Sequence, residues 1–233
     1  MKSNAYLPLI AVLTLLWGAS TVSGATLASD DFESYVLGST VAGNNGGTGF
    51  SGAWGSNNAG VSANATMVSS SLSYSGGTVV ANGGSQAAQY VAGTSGIIDG
   101  HLTRSIPFGP AGPDPIYMSY LWQNSVNNEA SGGNDFAQFG FDGTPDNPQN
   151  SIMQRNGAFE ARSSTNTPAS KGAVPVNIGQ TYFLVMKAED TGSGFYDQVT
   201  LWVDPLSNVE GAETIDGLST GVGDEGGFAP ELS

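Results

Sequence analysis

Glycosidic bond hydrolysis needs two carboxylates converging on one bond. On a strand, such a pair stands two or four residues apart on one face. Asp31 and Glu33 have that spacing, but they belong to the acidic opening of the chain, where the polar side of a strand faces water. Glu189 and Asp190 are adjacent, so they diverge on a strand, and they lead into the turn pair Thr191-Gly192. No Glu-x-Asp-x-x-Glu run occurs. With one histidine, His101, and no cysteine, the chain has no thiol nucleophile, no thiolate metal site and a poor basis for a Ser-His-Asp triad. Catalysis is not the expectation these residues support.

Metal and ligand candidates are more specific. Asp142 and Asp146 stand four apart in Asp142-Gly143-Thr144-Pro145-Asp146-Asn147, a Gly/Pro turn whose oxygens suit calcium, although the EF-hand pattern is absent. The same residues also read as an Asp/Asn turn satisfied by its own backbone. Zinc has too few ligands. The glycines of 221–227 lack the lysine and the strand–helix context of a phosphate loop, which argues against a nucleotide. For a saccharide, Tyr120 and Trp122 fall one pleat apart on the strand 116–125, with Met118 and Ile116 on the same face. That face is either a stacking platform or core.

A hairpin supplies the remaining candidates. Asn156-Gly157 between two alternating runs is a strong two-residue turn signal, because both residues tolerate positive φ. It pairs Arg155 with Ala158, Met153 with Glu160 and Ser151 with Arg162. Arg155, Glu160 and Arg162 then share a polar face, while Ile152, Phe159 and Ala161 face the core. That polar face is a ligand platform or a cross-strand ion-pair patch. The candidate ligand-binding set is Tyr120, Trp122, Gln138, Arg155, Glu160 and Arg162.

These residues need a frame, and composition indicates which. Gly contributes 34 of 233 residues and charged residues only 11%, too few for exposed helices rich in Glu and Lys. Apolar residues at 39% argue against disorder. Eleven short strand candidates follow: 29–35, 65–74, 78–81, 86–92, 101–108, 116–125, 135–141, 151–155, 158–163, 182–188 and 198–204. In Tyr182-Phe183-Leu184-Val185-Met186-Lys187 nearly every residue is apolar, so both faces are expected to be covered. In Val199-Thr200-Leu201-Trp202-Val203, the aliphatic residues point one way and Trp202 the other, as packing rather than as a sugar platform. One all-β antiparallel domain over 25–233 is expected.

Residues 1–24 read as a secretory leader: Lys2, a short apolar run from Leu7 to Trp17, then small residues ending at Ser23-Gly24-Ala25. The run is shorter than the roughly 20 residues of a membrane span. Removing Lys2 leaves 5 basic against 20 acidic residues, a net charge of −15. Such a chain repels nucleic acid and anionic lipid, which require clustered Lys and Arg.

The acidic opening Asp30-Asp31-Phe32-Glu33-Ser34-Tyr35, the Gly-rich loop from Gly46 to Gly55, the Tyr182–Asp190 strand and Leu201-Trp202-Val203-Asp204-Pro205 resemble concanavalin A-like (laminin G-like) jelly rolls of bacterial exported proteins of the PEP-CTERM type. The resemblance implies a two-sheet antiparallel β-sandwich, an extracellular or cell-surface address and, as partner, an extracellular polysaccharide bound without catalysis. It leaves a structural surface role, or a hydrolase or lyase of the same fold, as alternatives. Lyases of this fold place His, Tyr, Gln and Arg on the concave sheet, and His101, Tyr120, Gln138 and Arg155 are those types. Members close with a further strand, a Pro-Glu-Pro motif, an apolar helix and a basic end. This chain runs out at Phe228-Ala229-Pro230-Glu231-Leu232-Ser233, so it is either a tail-less relative or, as the favoured expectation, a fragment missing its last strand and anchor.

Overall fold

The computed structural model describes residues 26–56, 65–90, 102–106, 114–124, 136–144, 147–155, 157–162, 170–192, 196–207, 219–220 and 231–232. These residues hold strands and no helix. In chain order the strands are β1 (Gly55–Ser56), β2 (Ala65–Ser69), β3 (Ser73–Gly76), β4 (Val79–Asn82) and β5 (Gln86–Tyr90). There follow β6 (Leu102–Ser105), β7 (Ile116–Gln123), β8 (Phe136–Thr144), β9 (Asn147–Arg155) and β10 (Ala158–Arg162). The last are β11 (Ser170–Pro175), β12 (Thr181–Glu189), β13 (Gln198–Val203), β14 (Ser219–Thr220) and β15 (Glu231–Leu232). They form a seven-stranded sheet in the order β1-β6-β15-β8-β9-β10-β11 and a four-stranded sheet in the order β14-β13-β12-β7. Two further pairs, β2-β5 and β3-β4, complete the described part, and all the pairings are antiparallel.

The two larger sheets share one core, and strand alternation creates it. Along β12, Tyr182, Leu184, Met186 and Ala188 are each at most 1% exposed, and the intervening residues are half-buried. Val199, Leu201 and Val203 of β13 lie beside them, and Ile152, Phe159 and Ala161 of β9 and β10 come from the seven-stranded sheet. Phe159 meets Tyr182 edge-on, with centroids 5.2 Å apart. The buried Tyr182 hydroxyl donates to the Pro175 carbonyl at 2.9 Å and accepts from the Asn177 amide at 2.8 Å, so its polar tip is satisfied. On the other face of β12, Phe183 stacks on Tyr74 of β3 at 5.8 Å, giving the two-sided cover expected of this apolar strand.

The Asn156-Gly157 hairpin has the expected register, with Arg155 opposite Ala158, Met153 opposite Glu160 and Ser151 opposite Arg162. Gly157 sits at φ 71°, the left-handed conformation the turn requires. One expectation changes here. Ser151 and Glu160, on the side away from the Ile152–Phe159 core, are themselves buried at 0% and 7% exposure. At Ser151 and Glu160 that side is therefore covered, while the side chains of Arg155 and Arg162 lie outside the described residues.

Two strand boundaries also differ. Residues 29–35 are not a strand but a turn, with an isolated bridge from Ser29 to Thr48 of the Gly-rich loop. Asp30 Oδ1 accepts from the Phe32 amide at 3.0 Å and Asp31 Oδ1 from the Glu33 amide at 3.1 Å. These local carboxylate–amide bonds compete with a ladder and curl the chain, leaving Phe32 at φ 62°. Residues 65–74 split into β2 and the start of β3, which pair with different partners.

Leu184→Ala removes a fully buried side chain from the shared core. It is expected to destabilise the protein by about 2–5 kcal/mol, against less than about 0.5 kcal/mol for Val80→Ala at a 75% exposed position. Urea unfolding of both variants checks this.

Candidate functional site

The most densely bonded polar cluster among the described residues lies where the opening turn, the Gly-rich loop and β6 meet. Its centre is Arg104, 3% exposed. Nε donates to the Gly52 carbonyl at 2.7 Å. Nη1 donates to Asp30 Oδ2 at 2.6 Å and to the Tyr35 hydroxyl at 3.3 Å. Nη2 donates to Asn45 Oδ1 at 2.9 Å and to the Gly46 carbonyl at 2.6 Å. A guanidinium has five N–H donors, and these five bonds use them all.

Asp30 is matched in the same way. Its Oδ2 accepts from Arg104, from the Tyr35 hydroxyl and from Trp54 Nε1 at 3.0 Å, while Oδ1 caps the Phe32 amide. Burial, then the hydrogen bond to Asp30, pushes the Tyr35 phenol above its ordinary value, so it remains a donor to the carboxylate. Flat apolar surfaces enclose the pair: Arg104 Cζ lies 4.1 Å from the Phe50 ring centroid and 5.6 Å from that of Trp54. Tyr35 and Trp54 belong to a second buried cluster with Val41, Ala65 and Met67. At Gly46, a Cβ would run into Ser34 and the Tyr35 ring, so the loop can approach the cluster only as glycine.

Other described carboxylates are spent on backbone in a similar manner. Asp197 accepts both the amide and the hydroxyl of Thr191 at 2.8 Å, closing the β12–β13 connection. Asp204 Oδ1 accepts from the Phe183 amide at 2.7 Å, and burial pushes this carboxyl upward against that bond. Chemically, the Arg104 cluster is a closed ionic clasp, with its donors turned to partners inside the fold.

The sequence candidates do not converge on it or on one another. Tyr120 and Trp122, opposite Leu184 and Tyr182 in the ladder, pack against the shared core with Met118. Burial drives the Tyr120 phenol far upward. Trp122 Nε1 donates to Asn124 Oδ1 at 3.0 Å. The two rings therefore lie on the core side of their face rather than forming an outward platform. Trp202 is 7% exposed, in keeping with a packing role. Glu160 is buried on β10. Gln138, Asp142, Arg155 and Arg162 lie on described strands, but their side chains are outside the described residues, as are His101, Asp146 and the candidate leader 1–24. Among the described residues, no three His, Cys, Asp or Glu side chains gather as a metal site.

Sequence reasoning missed Arg104, which offers only a lone basic residue in the strand candidate 101–108. It also passed over Gly217-Leu218-Ser219-Thr220-Gly221, which carries the letters of a hydrolase nucleophile elbow. That elbow needs a strand-to-helix turn. Ser219 and Thr220 instead form the short strand β14, paired with β13 at one end of the four-stranded sheet. No family model, no curated protein and no solved structure matches the chain.

Arg104→Ala would leave the Asp30 carboxylate buried beside Tyr35 and Trp54 without its cation. The expected cost is about 3–5 kcal/mol. The double variant Asp30→Ala/Arg104→Ala is expected to cost at least about 1 kcal/mol less than the two single losses summed. A double-mutant cycle by denaturant unfolding reads both values.

Proposed function

We propose that the protein is an exported, non-catalytic surface module of the concanavalin A-like jelly-roll type, with a structural role outside the cell. One observation carries this reading: among the described residues, the densest polar cluster and the aromatics Tyr120, Trp122 and Trp202 are turned into the fold. Arg104, Asp30, Tyr35 and Trp54 bond one another, and Tyr120, Trp122 and Trp202 are packed. Two antiparallel sheets sharing a core, the leader-like residues 1–24 and a net charge of −14 all fit such a module.

A second reading, binding of an extracellular polysaccharide, is favoured by Tyr117. Among the described residues it is the exposed aromatic, 51% accessible on β7 and opposite Lys187 in the ladder. An accessible ring beside polar neighbours is what stacking on a sugar face requires. Calcium would enter this reading through Asp142 and Asp146.

Calorimetric titration against soluble polysaccharides, with and without calcium, separates the two. The structural role predicts no saturable heat from a folded protein. Saturable binding that Tyr117→Ala weakens at least about tenfold, without loss of stability, would replace it with the polysaccharide reading. Loss of that binding in chelator would bring in the Asp142–Asp146 turn.

A further inference from the structure

The opening turn is fastened on two sides by two carboxylates of opposite character. Asp30 points into the buried Arg104 clasp, whereas Glu33, three residues on, points out to the turn joining β4 and β5. The positive φ of Phe32 between them lets side chains so close in sequence diverge. Glu33 Oε1 accepts from the Ser85 amide at 2.5 Å and from the Gln86 amide at 3.0 Å, and Oε2 accepts from the Ser85 hydroxyl at 2.6 Å. Gln86 Nε2 donates back to the Glu33 carbonyl at 3.3 Å. Residues 52 and 53 positions apart in sequence are thus held by one exposed carboxylate.

The groups around Glu33 make it a single-proton contact. The turn it grips, Asn82-Gly83-Gly84-Ser85-Gln86, contains no titratable side chain, and neither does β2, which pairs with β5. On its own segment, Asp31 is engaged with the Glu33 amide, and Asp30 with Arg104, Tyr35 and Trp54. Glu33 is therefore held by neutral donors that favour its charged form, not by a cation.

We propose that Glu33 is an acid-released latch: as a carboxylate it clamps the β4–β5 turn to the opening turn, and its protonation frees that turn while the Arg104 clasp stays closed. Protonation removes the negative charge that strengthens all three bonds and places a proton on an oxygen that had only accepted, so the grip weakens. The bonds from the Ser85 hydroxyl, then from the Ser85 amide, hold the Glu33 carboxyl below its ordinary value of 4.5. A lowered carboxyl contributes its stabilisation fully above the ordinary value and loses it as pH falls through the folded value. The window is therefore mildly to strongly acidic, and neutral pH keeps the latch shut. Two backbone bonds, Ser70 amide to Ser85 carbonyl at 2.9 Å and Gly83 amide to Leu72 carbonyl at 3.0 Å, still tether the freed turn, so release is local.

Residue-resolved hydrogen exchange of the full chain, corrected for intrinsic rates, tests this between pH 7 and pH 3. Protection of the Ser85 and Gln86 amides is expected to fall by about tenfold on acidification, while the Leu184 and Met186 amides keep theirs. Glu33→Gln is expected to show the released rates already at pH 7, with no further acid step. Ser85→Ala keeps both amides but removes the largest support of the charged form, and should move release to higher pH. Wild-type protection in Glu33→Gln at neutral pH would overturn the latch. So would an unshifted midpoint in Ser85→Ala, or simultaneous loss at Leu184.

Discussion

Taking a guanidinium and a carboxylate out of water costs several kcal/mol per ion, and attraction between them offsets this only if the remaining donors and acceptors are also matched. Arg104 and Asp30 meet that condition within a few residues of one another in space. Five Arg104 bonds and a fully occupied Asp30 carboxylate leave little to be gained from water. The requirement dictates much of what surrounds them. The loop must present two carbonyls at Gly46 and Gly52, which demands close backbone approach and hence glycine at Gly46. The walls must be flat and apolar, which Phe50 and Trp54 supply. The opening segment must curl so that Asp30 and Tyr35 both reach the cluster, which the aspartate-capped turn achieves.

The clasp joins the opening turn to β6, and among the described residues no ladder joins those two. β6 carries Arg104 into the seven-stranded sheet, while the opening turn contributes Tyr35 to the cluster that includes Ala65 and Met67 of β2. The larger core between the two main sheets is held by ordinary aliphatic and aromatic burial. The protein thus rests on two kinds of order, an apolar core that tolerates similar shapes and an ionic cluster that tolerates few substitutions. A chain without cysteine obtains at this clasp a long-range fastening of the kind a disulfide can supply.

Where a local rule is strong, the sequence was legible. Asn156-Gly157 set the hairpin register, and alternation in Val199–Val203 identified the core face, because period-two patterning and turn chemistry are local properties. The acidic opening and Gly-rich loop stood out as a unit, and they do meet in space. Why they meet was hidden, since Arg104 lies some 50 residues beyond the loop carbonyls it binds. Residues 29–35 alternate like a strand, but Asp30 and Asp31 satisfy amides two residues on, and that competition leaves no trace in hydrophobic patterning. Strand β11 was missed because Lys171-Gly172-Ala173-Val174-Pro175 has weak β-propensity, and its Pro is tolerated at the outermost place in the sheet. The face of β7 bearing Tyr120 and Trp122 was readable as one face. Only the packing of one sheet on the other decides that it turns inward.

The Trp54 indole N–H reports directly on whether the clasp organises the fold, because it donates to both Asp30 and Tyr35. Its hydrogen-exchange rate, followed by NMR beside the backbone amides of Leu184 and Met186, measures how often the clasp opens. Exchange as slow as at those core amides is the predicted result, since opening the clasp would then require unfolding the whole protein. Exchange far faster than at the core amides, in a protein whose core remains protected, would contradict it and reduce the clasp to a local surface feature.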